Sequence, residues 1–423
     1  MLYKIITKWF KNNREILIFL LFAFFAWRVW LQVFLWLGWF VLPLKEILLG
    51  GGDKFFTRPG LWAWANFDGE HYLAIAHHGY GNFEQAFFPF YPWLIKTLVF
   101  PFKQSLFALL LSGLFISHLS FIIALFLFYL LIRFDYDKKI AQTAIFFLLL
   151  FPTSFFFGAV YTESLFLALI LGSFYAARRG KWWIAGILGA LASGTRLVGI
   201  FLLPALLVEW IQQDKLKNKQ SLLLRNQISK IKIMYQNVKR KNIFEFYTVI
   251  LHFAFLIFNL LPILLMSLGL LYYMRFLSIN YQDPLMFLHV QPVFGAQRVA
   301  DKIILLYQVF WRYFKMIATT KIDPLYFTVW LELLSAALFL GLLVFAYLKK
   351  IRLSYLIFAV LAYITPTLTG TFSSMPRYVL VLFPCFIAMA LIKNRIMKIL
   401  LFTFYFLLLV VSTIFFTRGY WIG

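Results

Sequence analysis

Apolar stretches of about eighteen residues or more recur from one end of this 423-residue chain to the other. Each is long enough to cross the ~30 Å hydrocarbon core of a bilayer as a helix. In that solvent every backbone amide and carbonyl must find its partner within the protein, which leaves helices or a closed barrel. A barrel announces itself by alternating segments of about ten residues, whereas these runs are continuous. The expected fold is an all-α polytopic membrane protein. Composition agrees: 63% of residues are hydrophobic and 13% charged, against about 25% charged in soluble domains. A soluble enzyme, a disordered chain and a fibrous repeat are excluded.

Eleven spans are expected, at 16–41, 105–132, 140–158, 162–177, 182–194, 197–210, 246–274, 325–348, 353–370, 376–392 and 396–416. The formal net charge is +24, and the basic residues sort between the loops. With the N-terminus inside, 25 of the 40 Lys and Arg fall in 1–15, 133–139, 178–181, 211–245, 349–352 and 393–398. Thirteen fall in the longer segments 42–104 and 275–324 and at Arg377 and Arg418. That bias is the positive-inside rule and puts the N-terminus in the cytoplasm and the C-terminus outside. It depends on the chain turning at Ser193-Gly194-Thr195-Arg196, because one crossing over 182–210 would reverse the basic loop 211–245. That loop suits anionic lipid headgroups better than nucleic acid, since aromatics are not interleaved through it. The N-terminal run after Lys4, Lys8, Lys11 and Arg14 exceeds a signal-peptide core of 7–15 residues, so it is expected to be an uncleaved first span. Cys385 is the one cysteine, so no intrachain disulfide forms. The chain is treated as one domain over 1–423, with the outside loops 42–104 and 275–324 forming its site.

Those two loops hold most of the residues capable of chemistry. The first carries Trp64-Ala65-Asn66-Phe67-Asp68-Gly69-Glu70-His71-Tyr72 and His77-His78, the second Asp283 through Gln291 with His289, then Arg298. Glu163 and Arg377 lie between spans on the same side. Asp68 is the candidate catalytic group, with helix N-capping as its structural alternative. Glu70, two positions on, points elsewhere on a helix, to orient His71, contact an acceptor or simply face solvent. His71, His77 and His78 have no metal-binding spacing such as HExxH, although Asp68 and His71 share a helix face; a divalent metal is at most weakly signalled. Arg377 follows Pro376, as at a helix start, where amides and guanidinium would face an anion; a lipid-headgroup contact is the alternative. Arg196 lies at membrane depth, where a charge is costly and usually functional or paired. Arg298 and His289 are weaker candidates for the same role.

The segments FDGEHYLAIAHHGY and AFFPFYP, followed in order by FPTSFFFGAVYTESLF, ASGTRLVGI, DPLMFLHVQ, SSMPRYVLVLFP and RGYWIG, resemble the signature of the glycosylphosphatidylinositol mannosyltransferase II (PIG-V-like) family and its bacterial relatives. The resemblance runs from about residue 62 to the C-terminus and implies a bundle of the GT-C type with interfacial helices on the non-cytoplasmic face. It implies a polyprenyl- or dolichyl-phosphate mannose donor, a glycolipid, glycan or protein acceptor, and an essential Asp in the first outside loop, here Asp68. Glu70, His71, Tyr72 and Glu163 become accessory site residues. Arg377, Arg298, His289, Gln291 and Arg196 become candidates for the donor phosphate. A bacterial plasma membrane is the expected location, or the endoplasmic reticulum in a eukaryote.

The chemistry suits a lone carboxylate. A glycosidase needs two acids, one of them to protonate a poor leaving group. A lipid phosphate leaves as a stable anion, so one base on the acceptor hydroxyl suffices, with inversion at the anomeric carbon and no obligatory metal. The competing expectations are a lipid-linked sugar flippase or secondary transporter, which would favour paired charges near the midplane, and a non-catalytic subunit.

Overall fold

The computed structural model describes residues 2–47, 49–101, 105–216 and 260–422, and among these all regular structure is helical. In chain order the α-helices are α1 (Leu2–Val41), α2 (Pro59–Trp62), α3 (Asp68–His78), α4 (Phe90–Val99), α5 (Leu106–Ile132), α6 (Lys138–Leu150), α7 (Glu163–Arg178), α8 (Trp182–Ser193), α9 (Leu202–Leu216), α10 (Leu268–Tyr281), α11 (Met286–His289), α12 (Leu306–Thr319), α13 (Pro324–Leu348), α14 (Leu353–Thr367), α15 (Met375–Tyr378), α16 (Phe383–Ala390) and α17 (Arg395–Thr417). Of the basic loop expected at 211–245, residues 217–245 lie outside the described residues, as does the start of the span expected at 246–274.

Five described stretches are long and apolar enough to cross a membrane: Arg14–Val41, Leu106–Ile132, Leu260–Tyr281, Pro324–Leu348 and Arg395–Thr417. They turn large side chains outward, such as Phe22 and Phe40 at 74% and 88% exposure. Apolar surface on that scale needs lipid to cover it. Three of them begin at capping side chains. Asp323 accepts from the Leu325 amide at 2.8 Å ahead of Pro324, Ser105 from Ala108 at 3.2 Å and Asn394 from Met397 at 3.1 Å. Where helices meet most closely the residues are small. A Cβ on Gly186 of α8 would stand 2.1 Å from the Pro262 carbonyl oxygen, and one on Gly269 of α10 2.0 Å from that of Ala190.

Polar groups collect at the two ends of the bundle. At one end Arg178 grips Asp135 through both guanidinium nitrogens at 2.7 and 2.9 Å. There Glu209 of α9, fully buried, accepts from Arg352 at 2.6 and 2.8 Å and from Ser354 at 2.6 Å. These contacts bring together the turns after α5, α7 and α13. At the opposite end the Lys45 amide donates to the Arg418 carbonyl at 2.9 Å, and the Val160 amide to Trp64 at 2.8 Å. The chain does turn at 194–196: α8 ends at the second end, and α9 returns to the first with Glu209. Several spans are shorter or more broken than the sequence suggests. The stretch expected at 140–158 is helical only to Leu150, with a 3-10 turn over Ser154–Gly158, and 376–392 is divided between α15, another 3-10 turn and α16. The expected outside loops are themselves helical, holding α2–α4 and α11–α12.

Candidate active site

α3 opens on Asp68, and the residue before it is held in an uncommon conformation. Phe67 has φ 57° and ψ −118°, a region that costs a residue with a Cβ about 1–3 kcal/mol. Its surroundings enforce it. The Phe67 ring lies edge-on to Trp421 at 5.2 Å and tilted against Phe416 at 5.9 Å. Asn66, fully buried, accepts from the Gly50 amide at 2.8 Å and donates to the Phe416 carbonyl at 2.9 Å, while Tyr161 donates to the Asn66 carbonyl at 2.9 Å. The C-terminal segment thus sets the direction in which Asp68 leaves the backbone. Asp68 does not cap α3: among the described residues no amide of the helix donates to it. Its carboxylate meets the guanidinium of Arg377.

Arg377 is presented in a similar way. Ser374, just before α15, has φ 67°, and its amide donates to Glu332 of α13 at 3.3 Å. The other Glu332 oxygen accepts from the Tyr313 hydroxyl at 2.6 Å, and Thr153 donates to the Pro376 carbonyl at 2.6 Å. α15 is a single turn whose Arg377 amide donates to the Ser374 carbonyl at 3.1 Å, and the Arg377 guanidinium is engaged by acids.

Two more groups complete the cluster. Glu163, at the start of α7 and 1% exposed, accepts from Arg196 at 2.7 Å and lies 3.5 Å from Arg377 Nε. Arg196, without an acidic neighbour in sequence, finds one 33 residues away. Arg377 also packs on the rings of Phe156, Tyr161 and Tyr378 at 5.4–5.5 Å. Two carboxylates and two guanidiniums balance in charge, as groups this buried require. Burial works against the Arg377 charge, but Asp68 and Glu163 outweigh it and hold its pKa well above the usual arginine value.

The cluster lines a cavity of about 1260 Å³. Asp68, His71, Tyr72, Glu163, Arg196, Gln291, Arg298 and Arg377, all singled out from sequence, line it together. Glu70 and His289 do not. Two positions along a helix turn Glu70 off the Asp68 face, and burial pushes its carboxyl up against the opposing pull of His71. His289, exposed, bonds Asp283 of its own loop at 2.7 Å. Gln291 donates to the Phe287 carbonyl at 3.0 Å, and Arg298 reaches Ser373 and the Phe294 carbonyl at 3.4 Å.

Sequence reasoning passed over several residues of the site. Glu332 lines the cavity from inside a span, where an acid is itself a signal of function. Lys45, Arg312 and Lys315 add positive charge to the wall. Like Arg298, they have no carboxylate within ion-pair distance among the described residues. Glu84, not Glu70, holds His71: its Oε1 lies 3.1 Å from Nδ1. Burial opposes charge on both groups. The Glu84 hydrogen bond and the charges of Asp68, Glu84 and Glu70 nevertheless raise the His71 pKa, and His71 with the Gly81 amide lowers that of Glu84. Among the described residues no three His, Cys, Asp or Glu side chains come together to hold a metal ion.

The family model described as mannosyltransferase (PIG-V) matches residues 54–235, the stretch that contains Asp68, His71, Glu163 and Arg196. Over that stretch the chain is similar to the PIG-V mannosyltransferases. The GPI alpha-1,6-mannosyltransferase 2 of Rattus norvegicus is 33% identical over 167 residues, which are 37% of this chain and 31% of the rat protein. The match thus spans about a third of that relative's length. Two solved structures are similar at low identity. ArnT from Cupriavidus metallidurans, bound to undecaprenyl phosphate, has a TM-score of 0.42 and 17% identity, over 87% of this chain and 60% of that one. The oligosaccharyltransferase AglB from Archaeoglobus fulgidus, in complex with an inhibitory peptide and a dolichol-phosphate, has 0.44 and 13%, over 98% and 57%.

Proposed function

We propose that this chain is an integral-membrane inverting glycosyltransferase of the GT-C type. It moves a mannosyl residue from a polyprenyl-phosphate donor to an acceptor hydroxyl on the non-cytoplasmic face. The observation that carries the reading is Asp68, a carboxylate on the wall of a large cavity, aimed by a strained backbone and steadied by Arg377. The relationship to PIG-V mannosyltransferases supports the sugar and the reaction class. The density of Lys and Arg in the loops of the opposite end supports the sidedness.

In this reading Asp68 accepts the proton of the acceptor hydroxyl as its oxygen attacks the anomeric carbon. Arg377 fixes the direction of the carboxylate, which is the larger part of what a base in a preorganised site requires. Glu163 and Arg196 close the charge balance behind it. The departing lipid phosphate needs positive charge, and with Arg377 and Arg196 both engaged by acids, that falls to Arg298, Arg312 and Lys315. The prenyl chain has an apolar route past α12, which turns Tyr307, Trp311 and Phe314 outward at 68%, 72% and 56% exposure while Arg312 and Lys315 of the same helix face the cavity.

The test is incubation of the purified protein with radiolabelled polyprenyl-phosphate mannose and total membrane lipid. Label on a new molecule, joined by a glycosidic bond, is the expected result. Label that crosses a vesicle bilayer while still on its donor would make the protein a transporter instead.

A further inference from the structure

We propose that His71, oriented by Glu84, is the proton carrier of this site, receiving from Asp68 the proton taken from the acceptor hydroxyl and releasing it to water. The inference rests on the glycosyltransferase reading above. It begins from a difficulty that the structure itself raises. Asp68 is the base, yet its carboxylate is ion-paired with Arg377. Once protonated it forfeits that pair, leaving Arg377 almost fully buried with only Glu163 to answer it. A proton left on Asp68 would keep that pair broken, so turnover needs a second group to take it on.

His71 is placed for this. It follows Asp68 by three residues on α3, hence on the same helix face, and both side chains line the cavity. The imidazole is held on three sides. Nδ1 lies 3.1 Å from Glu84 Oε1. The ring stacks on Phe87 at 5.0 Å with an interplanar angle of 23°, and the edge of Phe294 stands at 6.1 Å. Glu84 is itself fixed, 7% exposed, with Oε2 accepting the Gly81 amide at 2.7 Å. A carboxylate accepting from Nδ1–H leaves Nε2 with its lone pair. Among the described residues no group is hydrogen-bonded to Nε2, so it is free to take a proton directly or through one water.

The step balances. The acceptor O–H bond breaks as its oxygen bonds the anomeric carbon. The bond from that carbon to the donor phosphate breaks with its electron pair on the phosphate. The proton passes to Asp68, then to Nε2 of His71, and the imidazolium beside Glu84 gives it up to water. The groups that face His71 are all acidic: Glu84 from the turn at Glu84–Ala86, and Asp68 and Glu70 from α3. Phe87 and Phe294 bring no charge. Together the acids outweigh burial and favour the imidazolium, as a temporary proton holder requires.

The test is the pH profile of mannosyl transfer for the wild type, His71→Gln and Glu84→Gln. His71 must be neutral to receive the proton, so turnover of the wild type should rise with pH through the His71 pKa. Removing the Glu84 charge lowers that pKa, so the limb of E84Q should move to lower pH. H71Q should lose the limb and about tenfold or more of kcat, with the donor KM within about twofold of wild type. A H71Q profile that superimposes on the wild type overturns the proposal, and so does a limb unmoved in E84Q, which keeps the side-chain volume and therefore the packing. A wild-type protein that transfers no mannose at all would overturn instead the reading on which the proposal rests.

Discussion

Replacing Arg377 by methionine keeps an unbranched side chain against Phe156, Tyr161 and Tyr378 but removes the charge. Its effect can be worked from the cluster. In the wild type Asp68 and Glu163 face Arg196 and Arg377, two charges against two. R377M leaves two acids to Arg196, whose guanidinium already serves Glu163 at 2.7 Å. Removing one partner of a buried ion pair costs about 3–5 kcal/mol, because the other charge is left without compensation. The Asp68 side chain is 16% exposed and faces the cavity, so water relieves part of this, and about 3 kcal/mol is expected. The second substitution D68N removes the orphaned charge. The double variant D68N/R377M should therefore recover about 2 kcal/mol relative to the sum of the single losses, within the range for residues in contact. Denaturant unfolding of all four proteins in the same detergent gives the cycle, and mannosyl transfer should be absent from every variant in it. An R377M protein as stable as the wild type, or strictly additive losses in the double variant, would refute the charge-balance reasoning.

Other substitutions separate the supports of the site from its chemistry. Asn66→Ala leaves the Gly50 amide buried without its partner, costing about 1–3 kcal/mol; thermal unfolding should show a loss of stability, and retained wild-type stability would count against Asn66 as the pin of the Asp68 backbone. Arg352→Met strips Glu209 of its main cation at the opposite end of the bundle and should cost about 3 kcal/mol without altering the donor KM. Arg298→Ala should raise the donor KM several-fold and leave the acceptor KM unchanged, steady-state kinetics with both substrates varied being the check.

Much of the architecture was legible because the bilayer makes it so. A span must be apolar throughout, and charges gather where it ends, so Arg196 stood out by being inside. Asp68, Glu163, Arg196 and Arg377 were each visible as polar residues out of place. Their pairing was not, because Asp68 and Arg377 are 309 residues apart and nothing in local pattern joins α3 to α15. The same holds for Arg377: its position after Pro376 suggested an anion site, and only the tertiary fold shows the acid it meets. His289 has the opposite arrangement, a partner six residues away, and does not line the cavity. Glu84 carries no local signal of a role, and only the return of the chain after α3 brings it to His71. α12 escaped notice because it is too polar on its Arg312 and Lys315 face to resemble a span.

The account turns on the Asp68 carboxylate as the base. Its most direct test compares purified wild type and Asp68→Asn in transfer of label from polyprenyl-phosphate mannose, with unfolding and micelle size measured alongside. Asparagine keeps the shape and can still meet Arg377 through its carbonyl oxygen but cannot accept the proton. The account predicts a folded, donor-binding protein whose turnover falls by at least about 100-fold; a folded D68N that transfers mannose at the wild-type rate would contradict it.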